Sequence, residues 1–188
     1  IKAGNYSTTA TTDYIPEDVH LIQEKIAKFD PESNKVVTES GTSVPYDYLV
    51  VATGLSLEYG LIEGMDTSLI GKNGLGSIYQ GPEAALATWK LLSEFSDKGG
   101  KAVFMRPNTE MKCAGAPLKY TFIVDDYLSR KNQRIHSEVV YNSNNNNLFS
   151  VPIVSEKVRM LFDERDIKIN YERQLLAIDP DKRIATFS

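Results

Sequence analysis

The sequence predicts an α/β fold in two parts, a short antiparallel meander followed by a parallel sheet flanked by helices, and three observations carry this. Residues 19–51 are rich in β-formers and broken by turn clusters. Residues 60–81 lose periodicity and gather glycine. Residues 82–187 alternate helical and extended patterns. Strand, helix, strand, helix, strand is the order that packs as a parallel layer.

Residues 19–29 alternate in polarity, Asp30-Pro31-Glu32-Ser33-Asn34 is a turn cluster, residues 35–38 resume the extended pattern, and Ser40-Gly41 turns again. Residues 45–51 then run almost continuously apolar into Ala52-Thr53-Gly54, the pattern of a strand buried on both faces. Gly64, Gly71, Gly74, Gly76 and Gly81 mark a linker without helical period, and the domain boundary is placed at Gly74, dividing residues 1–73 from 74–188.

Pro82 suits a first helical position, and Ala85, Trp89 and Leu92 share one face, so residues 82–95 are expected to be helical, stopping at Gly99-Gly100. A strand over 101–105 and a loop over 106–116 follow. Pro117 opens a second helix with Leu118, Phe122 and Ile123 toward the core, and residues 134–141 form another strand. The asparagine-rich run 142–147 reads as a solvated excursion. Val154, Val158 and Leu161 mark a third helix. Residues 168–171, 175–178 and 184–187 are short strands, the last two divided by Asp179-Pro180-Asp181.

With 21 basic and 25 acidic side chains the net charge is -4, and no basic block stands out that would neutralise a row of phosphates, so nucleic acid is excluded as a partner. No apolar run approaches the ~20 residues that span a bilayer, and residues 1–14 are too polar for a secretory signal. One cysteine excludes an internal disulfide, and His20 and His136 lack neighbouring ligands, so no metal site is expected. The start at Ile1 without methionine, and the end in the strand-like Thr186-Phe187-Ser188, give the expectation of a piece of a longer protein.

The chemistry concentrates in the loop Arg106-Pro107-Asn108-Thr109-Glu110-Met111-Lys112-Cys113-Ala114-Gly115-Ala116. It joins a strand to a helix where a Rossmann-like unit carries its Gly-x-Gly-x-x-Gly fingerprint, and that fingerprint is absent, which argues against a nicotinamide partner. Cys113 stands four residues before Pro117, where the helix dipole and the adjacent Lys112 favour the thiolate, the form that attacks sulfur and flavin. Gly115, between Ala114 and Ala116, leaves the sulfur uncrowded. Arg106 can screen an anionic sulfur species. The alternative is that Cys113 is a small buried hydrophobe, the usual fate of a free cysteine. Lys112 and Lys119 are equally read as solvated lysines, and Tyr79 and Trp89 as packing residues.

Pro107-Asn108-Thr109, then Lys112-Cys113-Ala114-Gly115-Ala116-Pro117 and Lys119, resembles the cysteine loop of sulfide:quinone oxidoreductases. The similarity covers nearly the whole chain. Residues 46–54 resemble the strand that closes the FAD domain, a feature shared by the wider pyridine nucleotide-disulfide oxidoreductase superfamily, and Thr88-Trp89-Lys90 falls in the first helix of the second domain. The resemblance implies that residues 1–73 are the meander remnant of an FAD-binding domain, and that 74–188 are a Rossmann-like domain carrying the redox cysteine.

It further implies that Cys113 is one of a redox pair, with its partner beyond Ser188, which sulfide opens to a persulfide. Electrons then pass to FAD and on to a membrane quinone, and a sulfur acceptor removes the sulfur. The backbone at Lys25 and Ile26 would meet the adenine, and Ala52, Thr53 and Gly54 would pass along the dinucleotide. Without the family's first glycine loop, the isolated chain is expected to hold no flavin tightly and to be inactive. The complete protein would lie peripherally on a bacterial cytoplasmic or mitochondrial inner membrane, attached through segments this chain does not contain. Two alternatives stay open: another flavin disulfide-reductase-type enzyme, such as a type II NADH dehydrogenase or a flavocytochrome sulfide dehydrogenase subunit, and a thiol-bearing binding module that is no enzyme.

Overall fold

A computed structural model describes residues 11–188; residues 1–10, part of the polar stretch expected not to be a secretory signal, lie outside the described residues. The described residues form two compact units, 11–54 and 55–188.

In the first unit, strands β1 (Ile26–Asp30), β2 (Lys35–Thr38) and β3 (Ser43–Pro45) form an antiparallel sheet in sequence order. The turn cluster closes the first hairpin as its chemistry dictates. The Asp30 carboxylate accepts from the Ser33 amide at 3.3 Å, and Asn34 takes the left-handed conformation that asparagine tolerates (φ 47°). Val36 and Thr38, alternate residues of β2, are the buried ones.

Two strand expectations are corrected here. The first strand begins at Ile26 and not at Val19. The apolar run over 46–51 lies outside any strand, with Tyr48 94% and Val50 86% exposed. A strand needs neighbours to pair its amides and carbonyls, and after the Tyr46 amide, which donates to the Asn34 carbonyl at 2.9 Å, no ladder among the described residues continues along this run. Its composition therefore records a burial that this unit alone does not provide.

In the second unit, strands β4 (Gly100–Met105), β5 (Ser137–Asn142) and β6 (Ile167–Asn170) form a parallel sheet in sequence order. Helices α1 (Pro82–Lys98), α2 (Ala116–Arg130) and α3 (Pro152–Glu164) alternate with them, the order that the sequence pattern predicts. Central β5 is buried along nearly its whole length, as a strand flanked on both edges must be. Its Val139 and Tyr141 join Leu118, Val124 and Leu128 of α2, Phe162 of α3, Ile167 of β6 and Leu148 in one core. Strands β7 (Leu175–Asp179) and β8 (Ile184–Phe187) make a separate antiparallel hairpin, whose turn is held by Asp179 accepting from the Lys182 amide at 3.0 Å.

The buried stripe of α2 is Leu118, Thr121, Val124, Asp125 and Leu128, spaced three and four apart, so Ile123 falls off the stripe and is 47% exposed. On α3 the buried residue is Phe162, one turn after Val158, whereas Val154 is exposed.

The segment expected to be a linker is packed structure within the second compact unit, which begins at Leu55. The Glu63 amide donates to the Leu176 carbonyl at 3.0 Å, and its carbonyl accepts from Ile178 at 2.8 Å, so the segment joins β7. Ile70 is buried, and Ser77 exchanges two 2.9 Å hydrogen bonds with Thr88 of α1. Gly71 shows why glycine is needed so often here: at φ 88° a Cβ would stand 2.5 Å from the Ala87 methyl. Gly64, Gly71 and Gly76 serve close approach to β7 and α1, whereas Gly60 and Gly74 stand in open space.

The buried Asp125 carboxylate fastens α2 to the starts of the strands. Arg134 Nε donates to it at 2.6 Å and Arg165 Nη1 at 3.3 Å. The rest of the Arg134 fork donates to the carbonyls of Ser137, Arg165 and Asp166, so one guanidinium joins the entries of β5 and β6.

Candidate functional site

The site is the loop that leaves β4 and enters α2, at the carboxyl ends of the parallel strands, where sheets of this kind bind ligands. The Arg106 amide donates to the Asn142 carbonyl at 3.2 Å and extends the β4–β5 ladder by one residue. The chain then turns away. The Cys113 carbonyl accepts from the Ala116 amide at 3.0 Å, and Pro117, buried in the first turn of α2, fixes the entry into the helix.

Cys113 is exposed, so the reading of it as a buried small hydrophobe does not hold. Lys112 and Lys119 flank it and are exposed as well. Gly115 takes an ordinary right-handed conformation (φ -85°), and a Cβ built on it would meet only the Phe149 ring, at 3.6 Å. An alanine would therefore fit there.

Two tyrosines reach this region. Tyr79 is about half exposed (49%), and its phenol is raised above the usual range by partial burial, then by the Cys113 sulfur, then by Tyr59. Tyr141 is 1% exposed, and burial pushes its phenol up to about 12, with Arg106 opposing and Tyr79 adding to the rise. The packing role expected of Trp89 is seen in its tilted contact with the Tyr127 ring, with centroids 5.0 Å apart. Tyr79 instead faces the cysteine loop electrostatically. In the sequence the sole trace of Tyr141 is a hydroxyl-bearing residue directly after the apolar pair Val139-Val140.

The asparagine-rich run is a solvated excursion only at Asn146 and Asn147, which are exposed; its start is built into the sheet. The Ser143 amide donates to the Asn170 carbonyl at 2.8 Å, continuing the β5–β6 ladder, and Asn142 and Ser143 are 4% and 2% exposed. The Asn142 and Asn170 side chains join at 2.8 Å. The run therefore forms part of the sheet's ligand-facing end.

The other sequence-predicted residues lie in the first unit. The Lys25 carbonyl accepts from the Glu39 amide at 2.9 Å, and Ile26 opens β1 opposite Thr38. Ala52, Thr53 and Gly54 are exposed and outside strands, and Gly54 has φ 81°. With no side chain at that left-handed position, the backbone at Gly54 is open to close approach, which is what a dinucleotide site needs.

No group of three or more metal-ligating side chains occurs among the described residues. A groove of about 740 Å³ lies at the amino-terminal end of the parallel strands, lined by Gly100, Arg134, Glu138 and Lys168 among others. Glu138 is paired there with Lys101 and Lys168, Arg134 with Asp125, and the Ser137 hydroxyl donates to the Gln133 carbonyl. The groove lies at the opposite end of the strands from Cys113 and is not the candidate site.

No family profile matches the chain. It is 33% identical over 186 residues to the mitochondrial sulfide:quinone oxidoreductase of Mus musculus, covering 99% of this chain and 40% of that protein. It is 34% identical over 175 residues to the mitochondrial sulfide:quinone oxidoreductase of Dictyostelium discoideum, covering 93% and 38%. Its fold is that of part of the sulfide:quinone oxidoreductase from Aquifex aeolicus, with a TM-score of 0.66 at 24% identity over 89% of this chain and 40% of that one. By sequence and by fold, then, the chain is related to the sulfide:quinone oxidoreductases, over a stretch of about 40% of their length.

Proposed function

We propose that this chain is the sulfur-handling stretch of a flavoprotein that oxidises sulfide and delivers the electrons to quinone. The observation that carries the reading is the exposed Cys113 thiol at the β4–α2 loop, in a chain whose relatives are named for that reaction. The loop has none of the glycine fingerprint that a nicotinamide pyrophosphate requires.

Ala52, Thr53 and Gly54 would lie along the flavin dinucleotide, and the backbone at Lys25 and Ile26 would meet its adenine. When bound, FAD supplies a two-electron acceptor that passes its electrons to a membrane quinone. The protein's part starts from a disulfide between Cys113 and a second cysteine, which lies outside this chain because Cys113 is its one cysteine. Hydrosulfide attacks one sulfur of that bond. A new S–S bond forms as the old one breaks, giving a persulfide that keeps the hydrosulfide proton and leaving the other cysteine as thiolate.

A nucleophilic sulfur acceptor next takes the outer sulfur and its proton, so that both cysteines stand as thiolates. Reclosure of the disulfide releases two electrons. Lys112, Lys119 and Arg106 make the approach to Cys113 positive, which raises the local concentration of hydrosulfide and anionic acceptors. With quinone as the electron acceptor, the complete protein works at the face of a respiratory membrane as a peripheral protein. The described residues contain no helix long and apolar enough to cross one.

In the complete protein without oxygen, sulfide is expected to bleach the flavin absorption and NADH to leave it unchanged. Bleaching by NADH with no response to sulfide would replace this reading with a nicotinamide-dependent one.

A further inference from the structure

Three buried side-chain atoms have no hydrogen-bond partner among the described residues: Arg106 Nε, the Tyr141 hydroxyl and Asn144 Oδ1. Each such atom costs stability unless something pairs with it, so an unpaired set calls for a reason. All three fall at one end of one sheet. Arg106 is the first residue after β4, Tyr141 the penultimate residue of β5, and Asn144 stands two positions past its end.

Register brings them together. Phe104 stands beside Tyr141 and Met105 beside Asn142, and the Arg106 amide bonds the Asn142 carbonyl. The loop that starts at Arg106 is the one that carries Cys113. Electrostatic coupling runs through the same set, from Arg106 and Tyr79 to Tyr141, and from Cys113 to Tyr79.

What these atoms offer is donors. Arg106 is a permanent cation with an Nε–H to give, and Tyr141, its ionisation suppressed by burial, keeps its O–H at physiological pH. Asn144 can turn its amide to present a donor as readily as an acceptor. A cation that has no carboxylate partner among the described residues, at the same strand ends as an unpaired hydroxyl, suits an anion.

We propose that Arg106 and Tyr141, with Tyr79 on the solvent side, form an anion-binding site beside Cys113 that holds the negatively charged part of the sulfur species brought to or taken from that thiol. The sulfur identity of the anion rests on the reading of Cys113 given above; the anion site itself does not. Arg106 is a positioning residue in this scheme.

The test uses the complete flavoprotein, reduced, with the alkylation of Cys113 followed by peptide mass spectrometry. The ratio of its rates with anionic iodoacetate and neutral iodoacetamide reads local positive charge. Arg106→Gln is expected to lower that ratio about five-fold or more, the effect of one lost charge-assisted contact, while Arg106→Lys keeps most of it. Tyr141→Phe should lower the ratio about two-fold and raise the Tm by about 2–4 °C, because it removes a buried hydroxyl that has no partner.

The Arg106→Gln enzyme should also show a KM for sulfide raised about five-fold with kcat within a factor of about two. A ratio within about two-fold of wild type in Arg106→Gln overturns the site and leaves a bridging water as the partner of these atoms. A lowered ratio with an unchanged KM for sulfide overturns the sulfur ligand. Failure of the parent reading shows separately, as sulfide turnover surviving the loss of Cys113, and does not touch the alkylation ratio.

Discussion

Cys113→Ser in the complete flavoprotein is expected to abolish sulfide-dependent quinone reduction, by about a thousand-fold or more, while FAD stays bound. Serine keeps the size and the exposed position of the residue, so the β4–α2 loop has no reason to move. What it loses is sulfur chemistry, since a hydroxyl forms neither a disulfide nor a persulfide. The flavin spectrum should be unchanged at rest and should no longer bleach with sulfide. Stopped-flow absorbance and steady-state quinone reduction measure both. Turnover within a factor of about two of wild type would remove Cys113 from the mechanism.

Arg134→Ala is expected to cost about 3–5 kcal/mol of stability, because it strips the nearest partner from the buried Asp125 carboxylate. Arg165, at 3.3 Å and more exposed, is too weak a substitute, and three carbonyls at the entries of β5 and β6 lose their donor as well. For a chain of this size the Tm should fall by about 10 °C or more. Arg134→Lys should recover little, since a single ammonium cannot replace a fork that serves one carboxylate and three carbonyls. A chemical melt that shows less than about 1 kcal/mol of loss would mean that Asp125 is held by other means.

The parallel layer was legible because its signals are local. Pro82 and Pro117 mark helix starts, Gly99 marks a stop, and β-branched residues mark β5. The cysteine loop is legible for the same reason, as the Lys112 to Pro117 stretch is contiguous. What escaped the sequence was long-range. The glycines over 60–81 looked flexible, and in the fold they allow backbone to press on Ala87 and Ile178. The apolar run over 46–51 has the composition of a buried strand, yet a strand is made by its neighbours, and among the described residues the ladder ends at the Tyr46 amide.

Tyr141 and Asn144 gave no signal as a site. They share the end of one sheet with Arg106, although some thirty-five residues separate them from it in sequence. A register between parallel strands cannot be read from either strand alone. The asparagine run was misread because composition reports polarity but not whether the polar groups are satisfied by water or by a neighbouring ladder.

The most direct test is the redox state of Cys113 itself. In the complete protein as purified, alkylation followed by peptide mass spectrometry should find Cys113 joined to a second cysteine and resistant to the reagent. After sulfide is added with quinone withheld, the same peptide should be alkylated or carry one extra sulfur atom. A Cys113 that alkylates to the same extent before and after sulfide would contradict the account.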